Sequence, residues 1–256
     1  MAATKDKRIA SATFMTSLVD FTQAGELEVF IDDEQVASLE RKMNERGYLE
    51  GSEMANTFNM LRSNDLIWSF VINNYLLGRD PFPFDLLHWN CDSTRMPAKM
   101  HSFYLRNMYM KNLLRVPGGI TLAGVPIDLS KIAVPTYFVS AIEDHIAPWK
   151  TTYAGPQLVS GKSRFVLSGS GHIAGMINPP SAKKYGYWTN DKLPDTPDAW
   201  LEGAKQHEGS WWANWRAWLN AACSARQVPA RIPGKGKLKV IEAAPGAYAR
   251  IRADET

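Results

Sequence analysis

Residues 134–177 read VPTYFVSAIEDHIAPWKTTYAGPQLVSGKSRFVLSGSGHIAGMI. Two short runs within them, 134–141 and 163–167, are rich in β-branched and aromatic residues and predict strands buried on both faces, which show continuous apolar character rather than alternation. Each run ends in a turn carrying side chains able to do chemistry. The first delivers Glu143, Asp144 and His145, and the second delivers Ser168 to Gly171 and then His172. The 28 residues from Asp144 to His172 leave room for a helix, about 149–159, to cross between parallel neighbours. Such a crossover sets both turns at the carboxyl ends of adjacent strands, where open α/β sheets hold their sites. A carboxylate and an imidazole are therefore expected to meet.

That pairing is the acid–histidine half of a nucleophilic triad, in the chain order nucleophile, acid, histidine that α/β-hydrolases use. The Asp144 carboxylate would accept from one ring nitrogen of His172 and fix its tautomer, leaving the other to take a proton. Gly169 and Gly171 are expected to supply backbone angles that a Cβ would forbid. Acids and histidines are also common at strand exits, so spacing alone does not separate a dyad from two ordinary turns.

Length and composition bound the rest. A chain of 256 residues, 45% hydrophobic and 21% charged, is long enough for one large domain with an insertion. Two cysteines, Cys91 and Cys223, make neither a disulfide framework nor a zinc site, in keeping with a reducing cytoplasm. No run has the length of a membrane span, and the first twelve residues lack the apolar core of a signal peptide. The net charge of +3 is concentrated in residues 226–256, where seven basic residues face three acidic ones. The balance elsewhere is about −1, and with no nucleic-acid-binding signature a solvated tail is the expectation.

Residues 9–19, apolar or small throughout, predict a further buried strand ending at Asp20. Some α/β-hydrolases place the triad acid after an earlier strand, so Asp20 is the rival to Asp144. From about 20 to 118 the texture turns helical, with segments near 31–44, 54–58, 65–76 and 99–113 and an aromatic, proline-rich break at 81–89. An insertion of that size between strands of one sheet is how a cap or lid is carried. Cys91 lacks the flanking glycines of a nucleophile elbow, and Cys223 reads as a small core residue. Arg106 is a candidate contact for an anionic substrate group, and a solvated helix face explains it as well. Residues 178–197 predict a loop and 198–222 helices, with Trp211, Trp215 and Trp218 on one face packed against the sheet.

The stretches SLVDF (17–21), ELEVFIDD (26–33), ANTFNMLRSNDLIWSFVINNYLLGRDPFPFDLLHWN (55–90), EDHIAPW (143–149), GSGHIAGMINPP (169–180), YWTND (187–191), GSWWANW (209–215) and IEAAPGAYARI (241–251) are more specific. In them the chain resembles the C-terminal catalytic region of poly(3-hydroxyalkanoate) synthases, most like the class I enzymes. The resemblance implies a partial α/β-hydrolase fold over 1–256, mainly parallel in its sheet, with a helical cap at about 20–118 and a basic tail at about 226–256. It implies transfer of (R)-3-hydroxyacyl groups from CoA thioesters to a growing polyester by a Cys–His–Asp triad. Asp144 would be the acid, His172 the base and His145 a supporting neighbour, with no cofactor because the CoA thioester is a substrate. It further implies a homodimer formed through the cap and a cytoplasmic protein at the surface of polyester granules, without nucleic-acid partners.

One departure stands against these matches: no Gly-x-Cys-x-Gly elbow occurs in the 256 residues. The expectation is that the chain is a piece of a longer synthase, inactive alone, whose 9–19 strand exposes an edge prone to aggregation. An esterase or polyester depolymerase would carry the same dyad, and a non-catalytic granule-associated protein would explain the missing elbow.

Overall fold

The fold is described from a computed structural model, which covers residues 1–61, 63–81, 94–222 and 228–251. Two compact units emerge, one of residues 1–38 and 102–225, the other of residues 39–101 and 226–256.

The first unit is built on a five-stranded sheet. In chain order its strands are β1 (Ala12–Met15), β6 (Thr136–Ala141), β7 (Ser163–Ser168), β8 (Gly186–Thr189) and β9 (Lys205–Glu208), and the spatial order is the same. β1, β6 and β7 run parallel, with Phe14 opposite Phe138 and Phe138 opposite Phe165, while β8 and β9 add on antiparallel. The sheet is thus mixed, and with its flanking helices it makes an α/β fold. A short hairpin of β4 (Thr121–Leu122) and β5 (Val125–Pro126) lies between β1 and β6 in the chain.

Every residue of β6 is buried, which is what its unbroken apolar run predicts. The two-residue period then sorts side chains between two cores. Tyr137, Val139, Ala141 and Val166 point to one face and pack with Met176 and Trp211, with Trp215 and Trp218 against them. Phe138, Phe165 and Leu167 point to the other and pack with Trp149, Tyr153 and Trp200. The stripe of Trp211, Trp215 and Trp218 does lie on the sheet.

The crossover between β6 and β7 is not one helix but two short ones, Trp149–Thr152 and Gly155–Leu158. Pro156 has no amide hydrogen for an uninterrupted helix, and a Cβ on Gly155 would sit 2.4 Å from the Phe138 ring. The predicted strand at 9–19 is paired only over Ala12–Met15 and stands at one edge of the sheet. β8 lies in the stretch expected to be a loop, and β9 in the stretch expected to be helical. β8 carries only two apolar residues, Tyr187 and Trp188, which pack against the two cores from within a stretch rich in proline, lysine and aspartate, whereas β9 is polar throughout and held by its ladder.

The second unit is helical. It contains the helix Gly51–Leu61, π-helical turns at Asn64–Trp68 and Val71–Leu76, and a two-residue antiparallel pair of β2 (Tyr48–Leu49) with β3 (Met96–Pro97). Met43, Leu49 and Ala98 form its buried core, at the end of the helix Asp33–Arg46 and the start of the helix Ala98–Tyr104. The helices expected near 31–44, 54–58, 65–76 and 99–113 are present, the last continuing from Tyr104 as a π-helix over Leu105–Met110. Cys91, Cys223 and most of the proline-rich break at 81–89 lie outside the described residues.

Candidate active site

β6 and β7 end side by side, Ala141 opposite Ser168, and the turns that follow them are tied by backbone hydrogen bonds from Ile142 N to Ser168 O and Glu143 N to Ser170 O. Asp144 stands three residues beyond β6 with its side chain fully buried. A carboxylate removed from water costs several kcal/mol unless its lone pairs are filled. Here the chain fills them locally: Oδ1 accepts from the backbone N–H groups of Ile146 and Ala147, at 2.9 and 2.8 Å. This Asx-type turn is the signal in EDHIA that an acid at position 144 shapes its own loop.

Oδ2 is left for one partner, and that partner is His172, whose Nδ1 lies 2.7 Å away. The distance is that of a charge-assisted hydrogen bond. The imidazole is about one-third exposed, so one ring nitrogen is committed to the buried acid while the ring still reaches the surface. The acid and the imidazole expected to meet are thus in contact, the pair fixed at the carboxyl edge of two parallel strands.

The histidine turn is shaped differently from the expectation. Neither Gly169 nor Gly171 has a left-handed backbone; that conformation falls on Ser170, with φ of 68°. Close approach crowds Gly169 instead, since a Cβ there would meet Gly186 O at 3.1 Å and Tyr185 Cβ at 3.2 Å, tighter than an ordinary contact. The tightest position of the turn is Gly175, where a Cβ would lie 2.7 to 2.8 Å from Gly171 O, Ala141 Cβ and Gly169 O.

Asp20 is committed elsewhere. Its Oδ1 accepts from Thr22 N, Thr22 Oγ1 and Asn112 Nδ2 at 2.6 to 2.9 Å, and its Oδ2 from Arg115 at 2.6 Å. Burial alone would raise its pKa, but the Thr22 and Asn112 hydrogen bonds and the Arg115 charge outweigh burial and hold it below the usual carboxylate value. His145 is half-buried in the acid turn, and its carbonyl faces Gly25. Arg106 lies on the π-helical stretch Leu105–Met110 and forms an ion pair with Asp33 at 3.6 Å. A cavity of about 430 Å³ opens beside Asp144, lined by Gln23, Gly25, Glu28, Trp149 and Lys150 among others. No group of three or more metal-ligating side chains occurs among the described residues, and no helix there is long and apolar enough to cross a membrane.

No protein-family model matches the chain. Similarity to curated proteins is extensive. The chain is 53% identical over 252 residues to the poly(3-hydroxyalkanoate) polymerase subunit PhaC of Rhizobium meliloti, covering 98% of this chain and 41% of that protein. It is 51% identical to the poly(3-hydroxyalkanoate) polymerase of Methylorubrum extorquens, over 98% of this chain and 42% of the relative. It is 46% identical to the subunit PhaC of Cupriavidus necator, over 99% of this chain and 44% of the relative. The chain therefore spans about two fifths of the length of these relatives. With about half of its residues shared over nearly its whole length, the chain is similar to one region, about two fifths, of the poly(3-hydroxyalkanoate) polymerases.

Proposed function

We propose that this chain supplies the acid–base half of a polymerase that moves (R)-3-hydroxyacyl groups from CoA thioesters onto a growing polyester. Asp144 is the acid and His172 the base of a Cys–His–Asp triad. The observation that carries the reading is the 2.7 Å contact from His172 Nδ1 to a buried Asp144 carboxylate whose other oxygen is already filled by two amides. That arrangement favours the tautomer with hydrogen on Nδ1 and leaves Nε2 to accept a proton.

In the first half-reaction His172 takes the proton of a cysteine thiol, the sulfur attacks the thioester carbonyl, and CoA departs with the proton. In the second, the same imidazole deprotonates the 3-hydroxyl of an incoming unit, whose oxygen displaces the sulfur. The thiol comes from a Gly-x-Cys-x-Gly elbow outside residues 1–256, so these residues alone are inactive. The fold is then part of an α/β-hydrolase domain, with residues of about 20–118 as a cap that excludes water and contributes to a homodimer. The cytoplasmic surface of polyester granules is the place of action, no cofactor is needed, and Arg106 is a secondary contact for the anionic CoA moiety.

The test is made in the complete polypeptide. With 3-hydroxybutyryl-CoA as substrate, His172→Ala should abolish both CoA release and polymer formation. Retained polymerisation would overturn the reading. Free 3-hydroxybutyrate as the sole product of the unaltered protein would assign a thioesterase instead.

A further inference from the structure

The His172 side chain is about one-third exposed, and its aim on Asp144 depends in part on the turn that carries it. Residues 171–177 form that turn, closed by backbone hydrogen bonds from Gly175 N to Gly171 O at 2.7 Å and from Ile177 N to Ile173 O at 2.8 Å. Its entry is tied to the acid turn through Glu143 N and Ser170 O. Its exit is held by three side-chain donors on two consecutive carbonyls. Gly175 O accepts from Trp211 Nε1 at 2.9 Å and from Ser168 Oγ at 2.8 Å, and Met176 O accepts from Trp212 Nε1 at 2.9 Å.

We propose that Trp211 and Trp212 are positioning residues for His172: two adjacent indoles, at the start of the helix Trp212–Ala222, grip the far end of the histidine turn and keep the imidazole on Asp144. The inference rests on the proposed role of the Asp144–His172 pair. Indole N–H is a donor only, on a rigid ring with two side-chain torsions, so a carbonyl it engages is held at a fixed distance from the ring's packing site. Trp211 is 2% exposed and packs with Tyr137, Val139 and Met176, which anchors it to β6 itself. The helix is thus coupled to the same strand that delivers Asp144. A displacement of the imidazole by about 1 Å costs roughly 100-fold in rate, so a rigid grip on its turn acts on the turnover step.

The same helix contains an internal control. Trp215 makes an equivalent bond, from Nε1 to Thr13 Oγ1 at 2.9 Å, but its acceptor is on β1 and not on the histidine turn. In the complete polypeptide, Trp212→Phe and Trp215→Phe each remove one indole donor while keeping a ring.

The expected result is that Trp212→Phe lowers kcat about 10- to 100-fold with KM nearly unchanged and broadens or removes the downfield proton resonance of His172 Nδ1, labelled through its histidines. Trp215→Phe, at a comparable fall in Tm, leaves both within about 2-fold of the unaltered protein. If both variants act alike, or Trp212→Phe lowers Tm and nothing else, the indoles are ordinary core residues and the positioning role is overturned. If the unaltered protein shows no downfield His172 resonance and His172→Ala retains activity, the pair itself fails, and the grip with it.

Discussion

Asp20 and Asp144 are two carboxylates of the same sheet, each in the turn beyond a parallel strand and each largely buried, yet they are spent on different things. Asp20 uses both oxygens on Thr22, Asn112 and Arg115 and thereby fastens the turn after β1 to the segment around Asn112–Arg115. Asn112 completes the clasp by accepting from Phe21 N at 2.9 Å. Asp144 spends one oxygen on its own turn and keeps the other for an imidazole. Position at the end of a strand therefore does not assign a role to an acid. What assigns it is which lone pairs remain after the local backbone and neighbouring donors have been served.

The largest expected effect breaks the comparison at the carboxylate that meets the imidazole. Asp144→Asn in the complete polypeptide should lower kcat/KM by about 10³- to 10⁴-fold, because an amide at that position no longer enforces the Nδ1–H tautomer. Asp20→Asn should stay within about 3-fold. The reverse ranking, measured as CoA release, would make Asp20 the acid and leave the 2.7 Å contact without a catalytic meaning.

A stability effect of the next size belongs to the turn that only Asp144 needs. Gly175→Ala places a Cβ at 2.7 to 2.8 Å from two backbone oxygens and from Ala141 Cβ, and no flexible side-chain end is there to yield. Overpacking of this kind costs about 2–3 kcal/mol, a fall in Tm of roughly 5–10 °C. Gly171→Ala, where the nearest atom is 3.7 Å away, should cost under about 1 kcal/mol. Equal melting temperatures for the two variants would mean that close approach does not shape the histidine turn.

The Asp20 cluster should report itself through acid. Its pKa lies below the ordinary 3.8, so the folded state binds the proton less readily than the unfolded chain. The stabilisation is complete above about pH 4 and is lost as pH falls through the depressed value. Asp20→Ala should cost about 1–2 kcal/mol at pH 7 through the lost hydrogen bonds. The gap in Tm between it and the unaltered protein should narrow below pH 4. A gap that stays constant from pH 7 to pH 3 would show that the carboxylate's charge does not contribute.

How far these arrangements could be read in the sequence follows from their physics. β6 and β7 were legible because strands buried on both faces must be apolar throughout, and the contact of residues 144 and 172 followed from the crossover between them. β8, with GYWT, and β9, with KQHE, were not legible. They are antiparallel additions: β9 has no apolar residue and is held by its ladder, Gly186 opposite Glu208 and Thr189 opposite Lys205, and the two aromatics of β8 pack on opposite cores but are too few within a proline- and lysine-rich stretch to show a strand pattern. The left-handed Ser170 was hidden for a related reason. Glycines flank it on both sides, and the sequence does not say which residue of SGSG takes the strained angle. The partners of Asp20 lie 92 and 95 residues away in a helical stretch, a separation that no local spacing reveals.

The smallest expected effect sharpens the lesson most. Lys150 and Asp198 meet at 2.6 Å, the same separation as Arg115 and Asp20, so distance alone would rank the two ion pairs equal. Their exposure differs: the Asp198 side chain is 68% exposed and that of Asp20 is 12%. In water the Coulomb gain at this separation is offset by solvation and by the entropy of holding a lysine still, so exposed pairs are worth about 0.2–1 kcal/mol at most. Lys150→Ala, which leaves Asp198 in the first turn of the helix Pro197–Glu202, should therefore shift Tm by less than about 2 °C. Raising salt from 0.05 to 0.5 M should erase even that difference, while leaving the cost of Asp20→Ala largely intact, because screening acts on the solvated pair more than on short hydrogen bonds to a carboxylate that is itself buried. Equal costs for the two substitutions at high salt would show that burial contributes nothing to the Asp20 cluster.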